Sequence, residues 1–371
     1  MAFDIEKIVK ALERTSEVRV AVFGDYALDK YIYSDPVRDE PSAETGEAAY
    51  QFHRKKLSAG VGGTIANNLR ALGPQVFCIG LLGEDGEGFE LAMALEKIGA
   101  DVSHMVRDPR ICTSTYMKLL RKEETAGEEE SDSVYHEVRR LDFRNYFEPP
   151  ADLQEKMLDE LKNLLAAHAI DAVIITDQYY QRNQGAVTDY LRQELSALAP
   201  PYPEIIFFAD SRSFADGYHN MIVKCNHKEL MALAGKPVDH IEEAAADVPL
   251  DELEELGTLV SEKQNAELFI TAGSRGMIAM GRPAAERAAA EDDTAYPARV
   301  PAFRVTGPID IVGAGDATNA GLVTGLVLGL TRAESARLAC CISSITIQQL
   351  NTTGTATPAQ VAERLRTWPN P

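Results

Sequence analysis

The chain has 371 residues, with 37 Lys+Arg against 57 Asp+Glu and a formal net charge of −20. So acidic a protein, with no clustered basic stretch, is repelled from backbone phosphates, which excludes nucleic acid as a partner. With 45 % hydrophobic and 25 % charged residues the composition is that of a globular chain, and neither disordered nor collagen-like.

In chain order, Met1 to Arg19 carries apolar residues at Phe3, Ile5, Ile8, Val9 and Leu12, the spacing of an amphipathic helix rather than of a signal peptide. Buried-type strands are predicted over Val18–Phe23, Gln75–Gly80, Ala172–Thr176, Ile205–Ala209, Met221–Lys224 and Leu268–Thr271. Between them fall helix patterns over Ile65–Leu72, Phe89–Ile98, Leu153–Ala167, Gly185–Leu198 and Leu250–Gln264. This alternation predicts a doubly wound, mostly parallel sheet flanked by helices, with ligands beyond the carboxyl ends of its strands. Tyr31–Ser58 and Cys112–Arg144 interrupt it with short strand patterns, Thr113–Leu120 among them, and are read as a small β-sheet lid. The division is then 1–30, 59–111 and 145–371 for the α/β core and 31–58 with 112–144 for the lid; two disordered surface loops are the other reading of the latter. Gly281–Ala298, rich in Ala, Glu and Asp, reads as a flexible surface connection.

Five cysteines (Cys78, Cys112, Cys225, Cys340, Cys341) show neither paired nor zinc-type spacing, which suits a reducing, cytoplasmic setting. The uncharged run between Asp316 and Arg332 is too short and too polar to span a bilayer, so no membrane association is expected. The segments Glu123–Asp132 and Ile241–Leu256 hold six and seven acids without a basic residue, and so carry 13 of the 20 excess negative charges. They are read as solubilising surface outside the chemistry.

The strongest local signal is Gly307–Leu330. Gly313-Ala314-Gly315 opens a long apolar helix of small residues, where unpaired N–H groups and the helix dipole make a seat for an anion. Asp316 in the first turn could accept a proton from an attacking hydroxyl, or be an ordinary N-terminal carboxylate. P-loop, dinucleotide, nucleophile-elbow and zinc-protease motifs are missing from the sequence.

Asp310-Ile-Val-Gly-Ala-Gly-Asp316 resembles the C-terminal signature of the PfkB/ribokinase family of sugar kinases, and Gly60-Val-Gly-Gly-Thr-Ile-Ala-Asn-Asn-Leu-Arg-Ala-Leu-Gly73 is similar to its first signature. Gly24–Asp29, Gly83–Gly86, Asn226-His-Lys-Glu229 and Thr271–Gly276 follow the family's order. Gly24–Tyr31 and Arg140–Phe143 look most like the kinases of heptose 7-phosphate. The resemblance implies a ribokinase-like fold and ATP- and Mg²⁺-dependent phosphorylation of a sugar hydroxyl, leaving room for a monovalent cation. It implies Asp316 as general base and Gly313, Ala314 and Gly315 as the anion hole. Asn226 and Glu229 would place the phosphates and, for Glu229, magnesium through water; Thr271, Gly273 and Gly276 would border the nucleotide. Asp29, Gly60, Thr64, Lys118 and Arg140 would meet the acceptor. A capping box for Asn226 and Glu229, a plain loop carboxylate for Asp29 and a structural turn for Thr271–Gly276 are the other readings.

Val61, Thr64 and Ile311 depart from the family pattern, where Gly, Asn and Thr are usual, and Thr64 bears most on the acceptor because it offers one hydroxyl where Asn offers an acceptor and a donor. Ribose, fructose or its phosphate, 2-keto-3-deoxygluconate or a nucleoside are alternative acceptors, and a non-catalytic sugar or nucleotide binder is the alternative class. A homodimer through the lid would use Tyr31, Ile32, Tyr33 and Phe52.

Overall fold

The computed structural model describes residues 3–123, 134–236, 248–281 and 296–368. Most of Glu123–Asp132 and of Gly281–Ala298, and the first half of Ile241–Leu256, lie outside these residues.

The central sheet is built from β1 (Arg19–Gly24), β6 (Gln75–Gly83), β7 (Val106–Asp108), β10 (Ala172–Asp177), β11 (Ile206–Ser211), β12 (Ile222–Asn226), β13 (Glu267–Thr271), β14 (Met277–Ala279) and β15 (Ala298–Val300). Its order is β15-β14-β13-β12-β11-β10-β1-β6-β7. All neighbours are parallel except the two pairs at one edge, β13 with β14 and β14 with β15. Side chains alternate across a strand, and in β1 this divides the core: Val20 and Val22 enter one apolar cluster, Ala21 and Phe23 the other. One face is covered by α1 (Ile5–Leu12), α2 (Gly62–Leu72), α3 (Gly86–Lys97), α8 (Ala314–Val327), α9 (Arg332–Thr346) and α10 (Pro358–Thr367). The other is covered by α4 (Ala151–Ala166), α5 (Asp189–Leu198), α6 (His227–Leu233) and α7 (Leu250–Gln264).

Capping chemistry fixes where the helices begin. Asp85 accepts the Gly88 N–H at 2.7 Å, so α3 starts three residues before the apolar pattern Phe89–Ile98. The pattern Gly185–Leu198 yields a helix only from Asp189, because the Ala186 N–H is drawn to the Asp25 carboxylate at 2.6 Å. Thr113 likewise turns to Asp85 through its N–H and hydroxyl, both at 2.8 Å, and the strand begins at Thr115. The helices α9 and α10, which open on the capping boxes Thr331/Glu334 and Thr357/Gln360, and the three-residue strands β7, β14 and β15 are not among the predicted elements. Helix α8 has no polar face because it is enclosed: Gly321 lies where a Cβ would come within 2.8 Å of Ala339 Cα, and Gly325 where one would meet Ser335 Oγ at 2.8 Å.

A separate four-stranded sheet, ordered β5-β2-β8-β9, is made of β2 (Tyr26–Ser34), β5 (Phe52–Val61), β8 (Thr115–Lys122) and β9 (Tyr135–Phe143). Beside it, β3 (Glu40–Pro41) and β4 (Ala48–Ala49) form a short ribbon. Tyr31 and Tyr33 share one face of β2 and Ile32 points to the other; of these residues and Phe52, only Phe52 is exposed. The five cysteines are free thiols, and no helix among the described residues is long and apolar enough to cross a membrane.

Candidate active site

Parallel strands put their carboxyl ends on one rim, and there β12 and β13 present Asn226 and Thr271 side by side, while Asp210 of β11 stands in register with Lys224, two residues before Asn226. Helix α8 begins over this rim. Its N-cap, Gly313, has φ +79°, a left-handed conformation that glycine tolerates, and a Cβ there would press on Thr64 Cγ2 at 3.3 Å and Thr353 Cγ2 at 3.4 Å. Ala314 donates its N–H to the Ile311 carbonyl at 3.1 Å, while the N–H groups of Gly313, Gly315 and Asp316 have no acceptor among the described residues. The N–H groups left open to a ligand are therefore those of Gly313, Gly315 and Asp316; Ala314, expected among them, spends its N–H on closing the turn.

Asp316 is half-buried and accepts no hydrogen bond among the described residues. Burial, followed by the neighbouring Asp210 charge, pushes its carboxyl up to about 7, against the pull of Lys224 and Arg212. Asp29 is held at about 6, again chiefly by burial, with Lys118 and Arg140 pulling down. A Cβ on Gly60 would stand 2.5 Å from Asp29 Oδ2, so Gly60 makes room for that carboxylate by having no side chain. Register places Tyr31, Lys118 and Arg140 in one cross-strand row and Asp29, Tyr116 and Asp142 in the row beside it, on the same face of the small sheet. Lys118 pairs with Glu137 at 3.3 Å, and Arg140 donates to Asp142 at 2.7 Å while lying over the Tyr116 ring. Thr64, buried in the first turn of α2, touches the anion seat through its methyl group.

Asn226 and Glu229 do form a capping box. Asn226 Oδ1 accepts the N–H groups of Lys228 and Glu229 at 2.9 Å, and Glu229 Oε2 accepts the Asn226 N–H at 2.7 Å. Glu229 Oε1 accepts no hydrogen bond among the described residues, and burial raises the Glu229 pKa. Among the described residues no three acidic, His or Cys side chains converge to ligate a metal directly. What fits is a hydrated magnesium ion reached from Glu229 Oε1 through water. Thr271 Oγ1 reaches the Cys225 carbonyl at 3.5 Å, and Gly273 (φ +58°) opens an uncrowded turn. Gly276 has a packing reason of its own, since a Cβ there would lie 2.1 Å from the Val300 carbonyl.

Sequence reasoning missed Asp210, Lys224 and Asn319, which lie beneath the seat. The available signal was a lysine inside the otherwise apolar strand pattern Met221–Cys225 and an aspartate closing Ile205–Asp210. Asp25, within the Gly24–Asp29 motif, is buried, accepts the Gln178 and Ala186 N–H groups at 2.7 and 2.6 Å, and joins β1 to the loops after β10.

A helix N-terminus with free N–H groups, beside a carboxyl held near neutrality at the rim of a doubly wound sheet, is an arrangement suited to group-transfer chemistry. The chain belongs to the pfkB family of carbohydrate kinases, whose family model matches residues 19–360. It is 28 % identical to the bifunctional protein HldE of Trichlorobacter lovleyi over 96 % of this chain and 64 % of that protein, and 28 % identical to HldE of Hyphomonas neptunium over 92 % and 62 %. The chain thus spans under two thirds of the length of these relatives. Its fold is shared with the ribokinase of Arabidopsis thaliana complexed with ribose and ATP (TM-score 0.62, 16 % identity, 94 % of this chain and 99 % of that one). It is shared equally with phosphofructokinase-2 of Escherichia coli in complex with potassium (TM-score 0.65, 16 % identity, 94 % and 98 %).

Proposed function

We propose that this carbohydrate kinase transfers the γ-phosphoryl group of ATP to a hydroxyl of a sugar phosphate, with heptose 7-phosphate as the best candidate. The observation that carries the reading is the pairing of Asp316, a carboxyl held at about 7 and free of hydrogen bonds among the described residues, with the open N–H groups of Gly313 and Gly315 three residues and one residue before it. Such a carboxyl takes a hydroxyl proton near neutral pH, and the fixed N–H dipoles receive the charge of the moving phosphoryl group. Magnesium held through water by Glu229 would draw charge from the phosphates. Asn226, as N-cap of α6, and the Thr271–Gly276 turn would line the nucleotide.

The phosphate of the acceptor is supported by the small sheet, whose Asp29 face carries Lys56, Lys118 and Arg140. Asp29 would orient acceptor hydroxyls, Gly60 and Thr64 would border them, and the sheet would act as a lid over the bound pair. The nearness to HldE proteins supports a heptose. Thr64, shorter than the Asn usual in the family, favours a different acceptor as the second reading.

ADP release across a panel of heptose 7-phosphate, ribose, fructose, fructose 6-phosphate, 2-keto-3-deoxygluconate and nucleosides tests the acceptor. Heptose 7-phosphate should give the highest kcat/KM, and a non-phosphorylated sugar in first place would sink the sugar-phosphate reading. Asp316→Asn should bind ATP nearly normally and lose about 10²–10⁴ in kcat; wild-type turnover in this variant would remove Asp316 as base.

A further inference from the structure

Lys224 is almost wholly buried in the middle of β12. An ammonium withdrawn from water costs several kcal/mol unless it is paired, and this one lies 2.9 Å from Asp210 Oδ1. The other Asp210 oxygen accepts Asn319 Nδ2 at 2.6 Å, and Asn319 is three residues beyond Asp316 on α8. Strands β11 and β12 are thereby tied through buried charge to the helix that carries the anion seat. The ammonium is also against the first turn of that helix: a Cβ on Gly315 would stand 3.6 Å from Lys224 Nζ, the one near neighbour it would meet beyond the adjoining residues and the backbone of its own helix among the described residues. Three carboxylates, Asp210, Glu229 and Asp316, act on the same ammonium. Were it neutral, Arg212 would be left as the one cation acting on Asp316 and Glu229 in a site that must admit an anionic phosphoryl group.

We propose that Lys224 is a positioning residue for phosphoryl transfer: gripped by Asp210, and through Asp210 by Asn319, its ammonium fixes the first turn of α8 on the sheet and offsets the carboxylates around the Gly313–Gly315 seat. The proposal rests on the reading of Asp316 and that seat given above. It predicts a defect in turnover rather than in binding, because the ammonium lies under the seat on the sheet side, while ATP and sugar approach from the rim.

The test compares wild type, Lys224→Met, Lys224→Arg, Asn319→Ala and Asp316→Asn, using the acceptor that is fastest in the panel. Thermal melts and MgADP titration report folding and nucleotide binding, and kcat is followed from pH 5.5 to 9. The groups acting on Asp316 are Asp210 and Arg212 from the end of β11, Lys224 from β12 and Asp29 from β2. Lys224→Met should keep KM for ATP within about threefold, lose at least about tenfold in kcat, and move the acid limb of kcat up by about one pH unit, while Lys224→Arg keeps the limb in place. A Lys224→Met enzyme with wild-type kcat and an unmoved limb overturns the proposal. Should that variant not fold, Asn319→Ala decides: it leaves both charges in place but frees Asp210, so kcat should fall with KM unchanged, and unchanged kcat overturns the proposal. Wild-type turnover in Asp316→Asn would instead overturn the assignment of the base, so the two failures are told apart.

Discussion

Two aspartates give up free energy where the chain needs them. Asp316 and Asp25 are both raised from the ordinary 3.8 to about 7, and in both burial is the first cause. The folded state therefore holds more protons than the unfolded chain between about pH 4 and pH 7. Their contribution to stability is full below pH 4 and is lost as pH rises through 7. Asp316 accepts no hydrogen bond, so Asp316→Asn should leave Tm unchanged at pH 4 and raise it at pH 8. The gain is about 2 kcal/mol, half of what the full shift would give, because the side chain is partly solvated. Denaturation at the two pH values checks this; equal effects at both would show that the carboxyl is not perturbed. Both oxygens of Asp25 accept an N–H, so Asp25→Asn must face one donor with another and should destabilise by about 1–3 kcal/mol.

Val61 is the other residue held against its preference. It takes φ +58° and ψ −117° at the junction of β5 and α2, a conformation that a β-branched side chain adopts only under constraint. Val61→Gly should stabilise the protein by about 1 kcal/mol, the strain relieved less the added freedom of glycine in the unfolded chain, as a Tm shift would show. The same position shows why part of the site was hidden in the sequence. Val61 and Thr64 break the family signature, yet the chain keeps the backbone path that brings Thr64 against Gly313. Motif spacing displays Asp316 and Asn226, which sit at element ends, and Asp29, which lies inside β2 but within the Gly24–Tyr31 motif. Lys224 and Asp210 meet only through strand register, which no local pattern encodes.

At the scale of elements, the doubly wound sheet was legible because β1, β10, β11, β12 and β13 are apolar on both faces, as strands covered twice must be. Boundaries were less so. They depend on carboxylates, Asp85 as the adjacent N-cap of α3 and, from a distance, Asp85 for β8 and Asp25 for α5, the distant ones competing for the N–H groups of a local pattern. The glycines of α8 are legible only as small residues until α9 is laid against them. Gly321→Val should overpack that contact and cost about 1–3 kcal/mol, and because α8 carries the seat, kcat should fall in the folded fraction. A second element pair rests on charge. Arg192 and Asp177 are buried together with bonds at 2.9 and 3.1 Å, and Ser211 and Tyr218 also donate to Asp177. Arg192→Met leaves that carboxylate uncompensated and should destabilise by about 3–5 kcal/mol, measured by denaturant unfolding.

For the whole molecule, the charge of −20 acquires more structure than its surface role suggests. The second half of Ile241–Leu256 lies in α7, where Asp251 and Glu254 hold Arg299 of β15, so some of these acids fasten the antiparallel edge to the helix layer. The ends of the chain are joined in the same way: Lys7 of α1 pairs with Glu334 of α9 at 2.7 Å, and Glu6 with Arg366 of α10 at 2.9 Å.

The pairing of β1 sets an order in time. Val20 to Gly24 align with Val76 to Gly80 on one side and with Ala172 to Thr176 on the other. During synthesis the first of these partners arrives within about 55 residues, the second only after about 150. Until then one edge of this buried, apolar strand has no neighbour, and the α1 face lacks α9 and α10, which are made last. A nascent chain halted near residue 150 would therefore expose a sticky, half-paired ribbon, and would depend on chaperones or on continued elongation to avoid aggregation.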